Sequence, residues 1–201
     1  EIYNYCYLKK ILKSKGFKFK TNSDTEVLVA SYQMWGEGFQ NKLNGMWAFI
    51  IWDKIEEKIF AGRDRFGIKP LYWTKFKGVL YLASEIKQLQ LILKYKDVNY
   101  KEISRFLYTS ISDYDSETFI KNIHRLEPGH YLTYKNKKNM EIKKWYFLEE
   151  NINRKTHSKE ILNLLDDSIS LRLKSDTKIG CSLSGGIDSS IISTIVANKT
   201  K

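Results

Sequence analysis

The sequence predicts an α+β region of antiparallel strands with helices over its first two-thirds, followed by the opening of an α/β unit. Three observations carry this. Short apolar and aromatic runs recur in pairs around turn residues, as hairpins do. Helical segments with clear start and stop signals interrupt those runs. Near the end, an amphipathic helix, an apolar stretch, a Gly-Gly turn and a second apolar helix follow one another.

Ser23-Asp24-Thr25-Glu26 reads as a capping box, with Ser23 as N-cap and Glu26 at N3. The helix behind it presents Val27, Leu28, Ser31, Met34 and Trp35 on one side, and Gly36 stops it. Residues 45–53 (GMWAFIIWD) are nearly all apolar and aromatic, as in a strand buried on both faces. Lys58 to Gly62 is its neighbour after a Glu56-Glu57 turn. Leu71–Thr74 and Val79–Ser84 flank a Lys77-Gly78 turn and predict a hairpin. Ile86, Leu89 and Leu93 fall at helical spacing, and residues 101–108 predict another helix with Ile103, Phe106 and Leu107 inward. A second hairpin joins His130–Tyr134 to Met140–Ile142 after the Pro128-Gly129 turn.

Residues 1–148 form one expected domain, residues 149–157 a polar linker, and residues 158–201 the start of a second domain. In that second part Ile161, Leu164, Leu165, Ile169 and Leu173 share one helix face. Ile179 to Leu183 predicts a buried strand with Cys181 inside it, and Ile191 to Ala197 a buried helix. Cys6, between Tyr5 and Tyr7, reads as a packed small hydrophobe rather than a nucleophile.

The net charge of +11 comes mostly from scattered Lys, densest at Lys135, Lys137, Lys138, Lys143 and Lys144. That density reads as a solvated hairpin tip, so no nucleic-acid partner is expected. No run of 18 apolar residues and no basic-then-apolar leader is present, so no membrane partner and a cytoplasmic setting are expected. Two cysteines far apart in sequence give neither a disulfide framework nor metal spacing.

Ser184-Gly185-Gly186-Ile187-Asp188-Ser189-Ser190 carries the most chemistry. A strand, a Gly-rich turn and a helix start make an anion cradle, because the helix N-terminus points free N–H groups at the ligand. Two glycines allow close approach and positive φ. The three serines add hydroxyl donors. Asp188 beside a phosphate needs a cation between them, which points to magnesium. No Lys follows the second glycine, so this is not the ordinary P-loop. A five-residue match arises by chance in about 1 in 3,000 such chains at ~7% usage per residue, which favours a real phosphate site.

That run resembles the S-G-G-x-D-S pyrophosphate loop of the N-type ATP pyrophosphatases. Upstream, Glu1-Ile2-Tyr3-Asn4, Ser23-Asp24-Thr25-Glu26-Val27 and Gly45-Met46-Trp47-Ala48-Phe49 resemble segments of class II glutamine amidotransferases. So do Gly62-Arg63-Asp64-Arg65-Phe66-Gly67-Ile68-Lys69-Pro70-Leu71-Tyr72, Ala83-Ser84-Glu85-Ile86-Lys87 and Pro128-Gly129-His130. Together, and in this order, they resemble the glutamine-hydrolysing asparagine synthetase family over nearly the whole chain.

The resemblance implies an Ntn-hydrolase-like domain of stacked antiparallel sheets with helices, then the start of an α/β ATP-pyrophosphatase domain. It implies that Glu1 and Asp24 hold the α-ammonium of glutamine. It implies that Leu183 touches adenosine, that Ser184, Gly185, Gly186, Ser189 and Ser190 hold the pyrophosphate of ATP, and that Asp188 reaches Mg2+. The partners implied are glutamine, aspartate and ATP, with a homodimer left open. An N-terminal cysteine nucleophile and the aspartate pocket are expected outside the chain, in a longer parent protein. Arg63 and Asp64 read two ways, as an ion pair bracing a turn, which is expected, or as a direct substrate contact. Three other readings stand beside this one: a paralogue amidating a different carboxylate, a pyrophosphate-loop enzyme acting on tRNA, and a truncated non-catalytic copy.

Overall fold

The computed structural model describes residues 1–93, 97–136, 138–148, 157–175 and 178–200. It divides into two compact units, Glu1–Phe147 and Leu148–Lys201.

The first unit opens with two helices, α1 (Tyr5–Ser14) and α2 (Asp24–Trp35), and a 3-10 turn, Gly36–Lys42. Then come β1 (Ala48–Asp53), β2 (Lys58–Arg63), β3 (Tyr72–Phe76) and β4 (Val79–Ala83). Helices α3 (Ile86–Leu93) and α4 (Tyr100–Thr109) follow. The unit closes with β5 (His124–Arg125), β6 (His130–Lys135) and β7 (Asn139–Lys144). One sheet has the order β1-β2-β6-β7 and the other β4-β3-β5, with every pairing antiparallel.

Strand periodicity builds the layers. Successive side chains point to opposite faces. On β2, Phe60 packs towards α1 and α2 with Leu8, Leu12, Val27 and Leu28. Its neighbours Ile59 and Ala61 pack the other way, against Leu71, Leu80 and Trp73 of the second sheet. On the far face of that sheet, Leu89 and Leu93 of α3 meet Tyr72, Tyr81 and Ile123. The unit is therefore helices, sheet, sheet, helix: an α+β stack of two antiparallel sheets.

Several expectations change. Residues 5–14 form a helix, because Leu8 and Leu12 are the buried side chains four apart. Cys6 lies away from that face and is exposed, so it is not a packed hydrophobe. β1 is an edge strand rather than one buried on both faces: Ile50 and Trp52 share the face of their partners Ala61 and Ile59 but lie at the sheet edge and are about half exposed (49% and 54%). The apolar run hides this, because every second residue serves the core and the others remain open. Met34 is likewise exposed, as are Phe106 and Leu107, and on α4 only Glu102 is buried.

The Ser23 hydroxyl accepts from Thr25 N, as a cap should, but Glu26 does not close the box. Its carboxylate instead accepts from Lys20 N, Thr21 N and the Thr21 hydroxyl. It ties the incoming loop to α2 rather than α2 to its own cap.

The second unit contributes α5 (Ser158–Arg172) and α6 (Ile187–Lys199). Of the expected linker 149–157, all but His157 falls outside the described residues. Residues 179–184 form no strand, and Cys181 is exposed rather than buried. The physical reason is that a strand needs a neighbour to pair its backbone, and the described residues of this unit offer none. For the same reason α6 buries no residue, Ile191 and Ile192 stay partly open, and Ile161 and Leu164 of α5 are exposed.

Arg63 and Asp64 hold the centre of the first unit. Both are buried, at 5% and 1% exposure, yet they do not pair with each other. Arg63 donates to the carbonyls of Lys69 (2.7 Å), Gly67 (2.7 Å) and Leu126 (2.6 Å). The Asp64 carboxylate accepts from the N–H groups of Trp47 (3.2 Å), Phe66 (3.1 Å), Ile68 (3.0 Å) and Lys69 (3.0 Å). The two charges satisfy opposite poles of one backbone loop instead of forming the expected ion pair. Burial pulls the Arg63 guanidinium below its ordinary value, and nearby Arg125 adds to this. It stays charged nonetheless.

Replacing Arg63 with Met keeps the bulk and strands three carbonyls. Each unsatisfied group costs about 1–3 kcal/mol, so Arg63→Met is expected to lose roughly 3 kcal/mol or more. Lys143→Met removes only an exposed pair with Glu141 and is expected to cost under about 1 kcal/mol. Urea unfolding followed by tryptophan fluorescence compares the two, and equal losses would contradict the account.

Candidate functional site

Two candidate sites lie in the two units. In the first, Ile2 bridges Gly45 in an isolated antiparallel pair. The Glu1 nitrogen donates to Met46 O at 2.7 Å, and Met46 N donates back to Glu1 O at 3.0 Å. Gly45 is required here by close approach. A Cβ would collide with Glu1 O and lie 2.9 Å from Ile2 Cα. Asp24 stands in the first turn of α2, and its Oδ2 accepts from Ile2 N at 2.9 Å. That contact brings both predicted carboxylates, Glu1 and Asp24, to one place from 23 residues apart.

Glu1 and Asp24 line an open pocket of about 740 Å³ together with Trp47, Phe49, Lys69 and Ser84. Glu1 is exposed and Asp24 half-buried. One Asp24 oxygen accepts from the backbone, and the residue lines the pocket. Two carboxylates at an apolar wall suit a small cation such as a primary ammonium, which needs anionic acceptors. The sequence reading passed over Lys69, Trp47 and Ser84 as lining residues. Each lies within one of three separate motifs that carry the family resemblance, so only the folded path brings them together.

Asp64 positions this wall, because it fixes Trp47 N next to Met46. Arg65 braces the same segment from outside. It donates to Leu43 O (2.6 Å) and Asn41 O (3.2 Å) and lies over the rings of Trp145 and Tyr146. Burial lowers its guanidinium from the ordinary value.

In the second unit, residues 183–190 turn into α6. Gly185 has φ +83°, a region open to glycine at little cost. Gly186 is the N-cap with φ −74°, so only one of the two glycines serves a positive φ. The cap makes no side-chain hydrogen bond, so the first N–H groups of α6 lack a capping acceptor. Ser189 and Ser190 both donate to Gly186 O, at 3.0 and 2.8 Å, and Ser184 Oγ lies 3.0 Å from Ser189 Oγ. The hydroxyls are thereby gathered at one helix start. Leu183 beside them is 64% exposed, an apolar surface at the cradle's edge.

Asp188 lies in the first turn of α6. Among the described residues no group of three or more His, Cys, Asp or Glu stands together. A single carboxylate at a phosphate cradle still fits magnesium, which takes one or two carboxylates and draws its other ligands from phosphates and water.

The chain matches the glutamine amidotransferase domain family over residues 1–146 and the asparagine synthase family over residues 160–201. It is 35% identical over 198 residues to an asparagine synthetase (glutamine-hydrolyzing) of Bacillus subtilis, covering 97% of this chain and 31% of that protein. It is 34% identical to amidase chyE of Penicillium rubens, covering 98% of this chain and 30% of that protein. The chain thus spans about a third of the length of the curated relatives it matches. Among solved structures it resembles the glutamine phosphoribosylpyrophosphate amidotransferase of B. subtilis. The TM-score is 0.52 at 19% identity, over 98% of this chain and 42% of that one. At that identity the likeness concerns the fold alone.

The loop that leads into α2 is tied to Glu26 and carries a pH signature. Backbone Lys20 and the Thr21 hydroxyl and N–H hold the Glu26 carboxyl down to about 2, from the ordinary 4.5. A depressed folded value gives stabilisation that is complete above 4.5 and lost as pH falls towards 2. The stability gap between wild type and Glu26→Gln is therefore expected to close between those values in urea melts. A gap that persists unchanged at pH 2 would show that the carboxylate is not its source.

Proposed function

The chain belongs to the glutamine amidotransferase domain family, and from that premise we propose that it is part of an ATP-dependent ligase making asparagine. The observation that carries the reading is the succession, in one chain, of a glutamine amidotransferase match at 1–146 and an asparagine synthase match at 160–201.

In the first half-reaction glutamine and water give glutamate and ammonia. Glu1 and Asp24 hold the α-ammonium of glutamine, so that its side-chain amide points to the nucleophile. That nucleophile is an N-terminal cysteine of the longer protein, whose own amine takes the thiol proton. In the second half-reaction an aspartate side-chain oxygen attacks the α-phosphorus of ATP, and pyrophosphate leaves. Ammonia then attacks the acyl carbon, and AMP departs with the electron pair. The product is asparagine.

At the second site, the N–H groups opening α6 and the hydroxyls of Ser184, Ser189 and Ser190 orient the departing pyrophosphate. Gly185 and Gly186 let the backbone reach it, and Leu183 borders the adenosine. Asp188 holds Mg2+, which when bound offsets charge building on the leaving phosphates. A cytoplasmic setting belongs to the same proposal, and among the described residues no helix is long and apolar enough to cross a membrane.

A second reading has a specific support. The amidase relative matches almost as closely as the synthetase, at 34% against 35% identity. The loop and the glutamine pocket serve equally well when another carboxylate is amidated. The acid that accepts the amide is chosen elsewhere in the protein.

In the full-length protein, ATP-dependent pyrophosphate release is expected to require aspartate. Asp188→Ala is expected to slow that release about 10²-fold or more while leaving glutamine hydrolysis in place. Release that ignores aspartate but responds to another carboxylic acid moves the assignment to the second reading. An Asp188→Ala protein with undiminished release removes the loop from the reaction.

A further inference from the structure

Asn4 stands at the N-cap of α1, where an asparagine ordinarily bonds the first-turn N–H groups of its own helix. Here its side chain makes no capping bond. It is turned instead to a segment some 40 residues away. Its Nδ2 donates to Lys42 O at 2.9 Å, and its Oδ1 accepts from Asn44 N at 2.9 Å. Next to it, Tyr3 N donates to Asn44 O at 2.8 Å. The amide thus clasps one end of a short paired ribbon. The other end is the Glu1–Met46 pair, and between them lies the Ile2–Gly45 bridge. Ile2 N in turn holds Oδ2 of Asp24.

Without Asn4, the buried Ile2 and Tyr3 side chains still anchor the 1–4 segment, but the side-chain clasp that fixes its register on 42–44 is lost. The exposed end of the segment then gains freedom, and Glu1 moves relative to Asp24. A helix cap given up for a distant clasp is a cost to α1. The gain falls on the segment that carries both carboxylates.

We propose that Asn4 is a positioning residue for the ammonium-binding carboxylates, setting the separation of Glu1 from Asp24 through the Lys42–Asn44 clasp. This rests on the glutamine reading of that pocket. Asn4 touches no substrate and acts through the ribbon alone.

Serine separates clasp from cap. Asn4→Ser retains a good capping residue for α1. A single hydroxyl, one bond shorter, cannot serve Lys42 O and Asn44 N together. The assay uses the full-length protein with glutamine, and then with ammonia supplied directly. Loss of two hydrogen bonds is expected to raise KM for glutamine roughly tenfold. The kcat is expected to stay within about twofold, the ammonia-dependent rate to be unchanged and the melting midpoint not to fall. Asn4→Asp keeps the acceptor for Asn44 N but sets a carboxylate against Lys42 O. It is expected to show the same KM effect, which keeps the test open if the serine variant folds poorly.

An unchanged KM in both variants, with glutamine hydrolysed normally by the wild type, overturns the inference alone. A KM rise that comes with a lower melting midpoint and a matching fall in kcat marks mere structural damage and also overturns it. A wild-type protein that does not hydrolyse glutamine overturns the pocket reading and the inference with it.

Discussion

A single buried carboxylate organises the first unit. Asp64 is almost closed to water, and it accepts four backbone hydrogen bonds, from Trp47, Phe66, Ile68 and Lys69. A buried charge is tolerated only when its acceptor capacity is filled. Here backbone N–H groups of a turn and of the residue leading into β1 fill it. Hydrogen bonds to a charged group contribute about 1.5–3 kcal/mol each, so the loop and the strand entrance are held as one body. Arg63 does the complementary work on carbonyls and reaches Leu126, next to β5. Two residues adjacent in sequence thereby lock the exit of β2, the following turn and the path into the second sheet.

The pocket lined by Glu1 and Asp24 depends on that lock at one remove. Trp47 is fixed by Asp64, Met46 precedes it, and Met46 pairs with Glu1. Asp24 reaches the same ribbon from the start of α2. The site is thus built from a strand entrance, a helix start and a short bridge, with no long element running through it. Its precision comes from hydrogen bonds between backbone and side chain, since no continuous sheet connects Glu1 to β1. The second site is simpler. It is a helix start with one glycine at positive φ and three hydroxyls, a pattern that local sequence alone encodes.

How much was legible follows from that difference. The hairpins of β3–β4 and β6–β7 and the helices α2 and α3 were readable, because turn residues and periodicity act locally. The resemblance brought Glu1 and Asp24 forward, and the bridge at Gly45 explains why they meet. The partners of Arg63 and Asp64 were not readable, because a charged pair in sequence says nothing about which backbone groups it will satisfy. Glu26 shows the same limit: its spacing spells a capping box, but the preceding loop competes for the carboxylate and wins. Apolar runs misled where burial depends on neighbours. Ile50, Trp52, Ile192 and Cys181 all look like core residues, yet each lies where the described residues supply no covering layer.

Amide hydrogen exchange under native conditions tests the Asp64 constraint most directly. Phe66 and Ile68 have exposed side chains, at 66% and 52%, and sit in a turn. Surface turns ordinarily exchange through small local openings. If Asp64 holds them, the amides of Trp47, Phe66, Ile68 and Lys69 will exchange only as slowly as those of β2, through global unfolding. Fast exchange at Phe66, Ile68 and Lys69 while β2 stays protected would contradict the account.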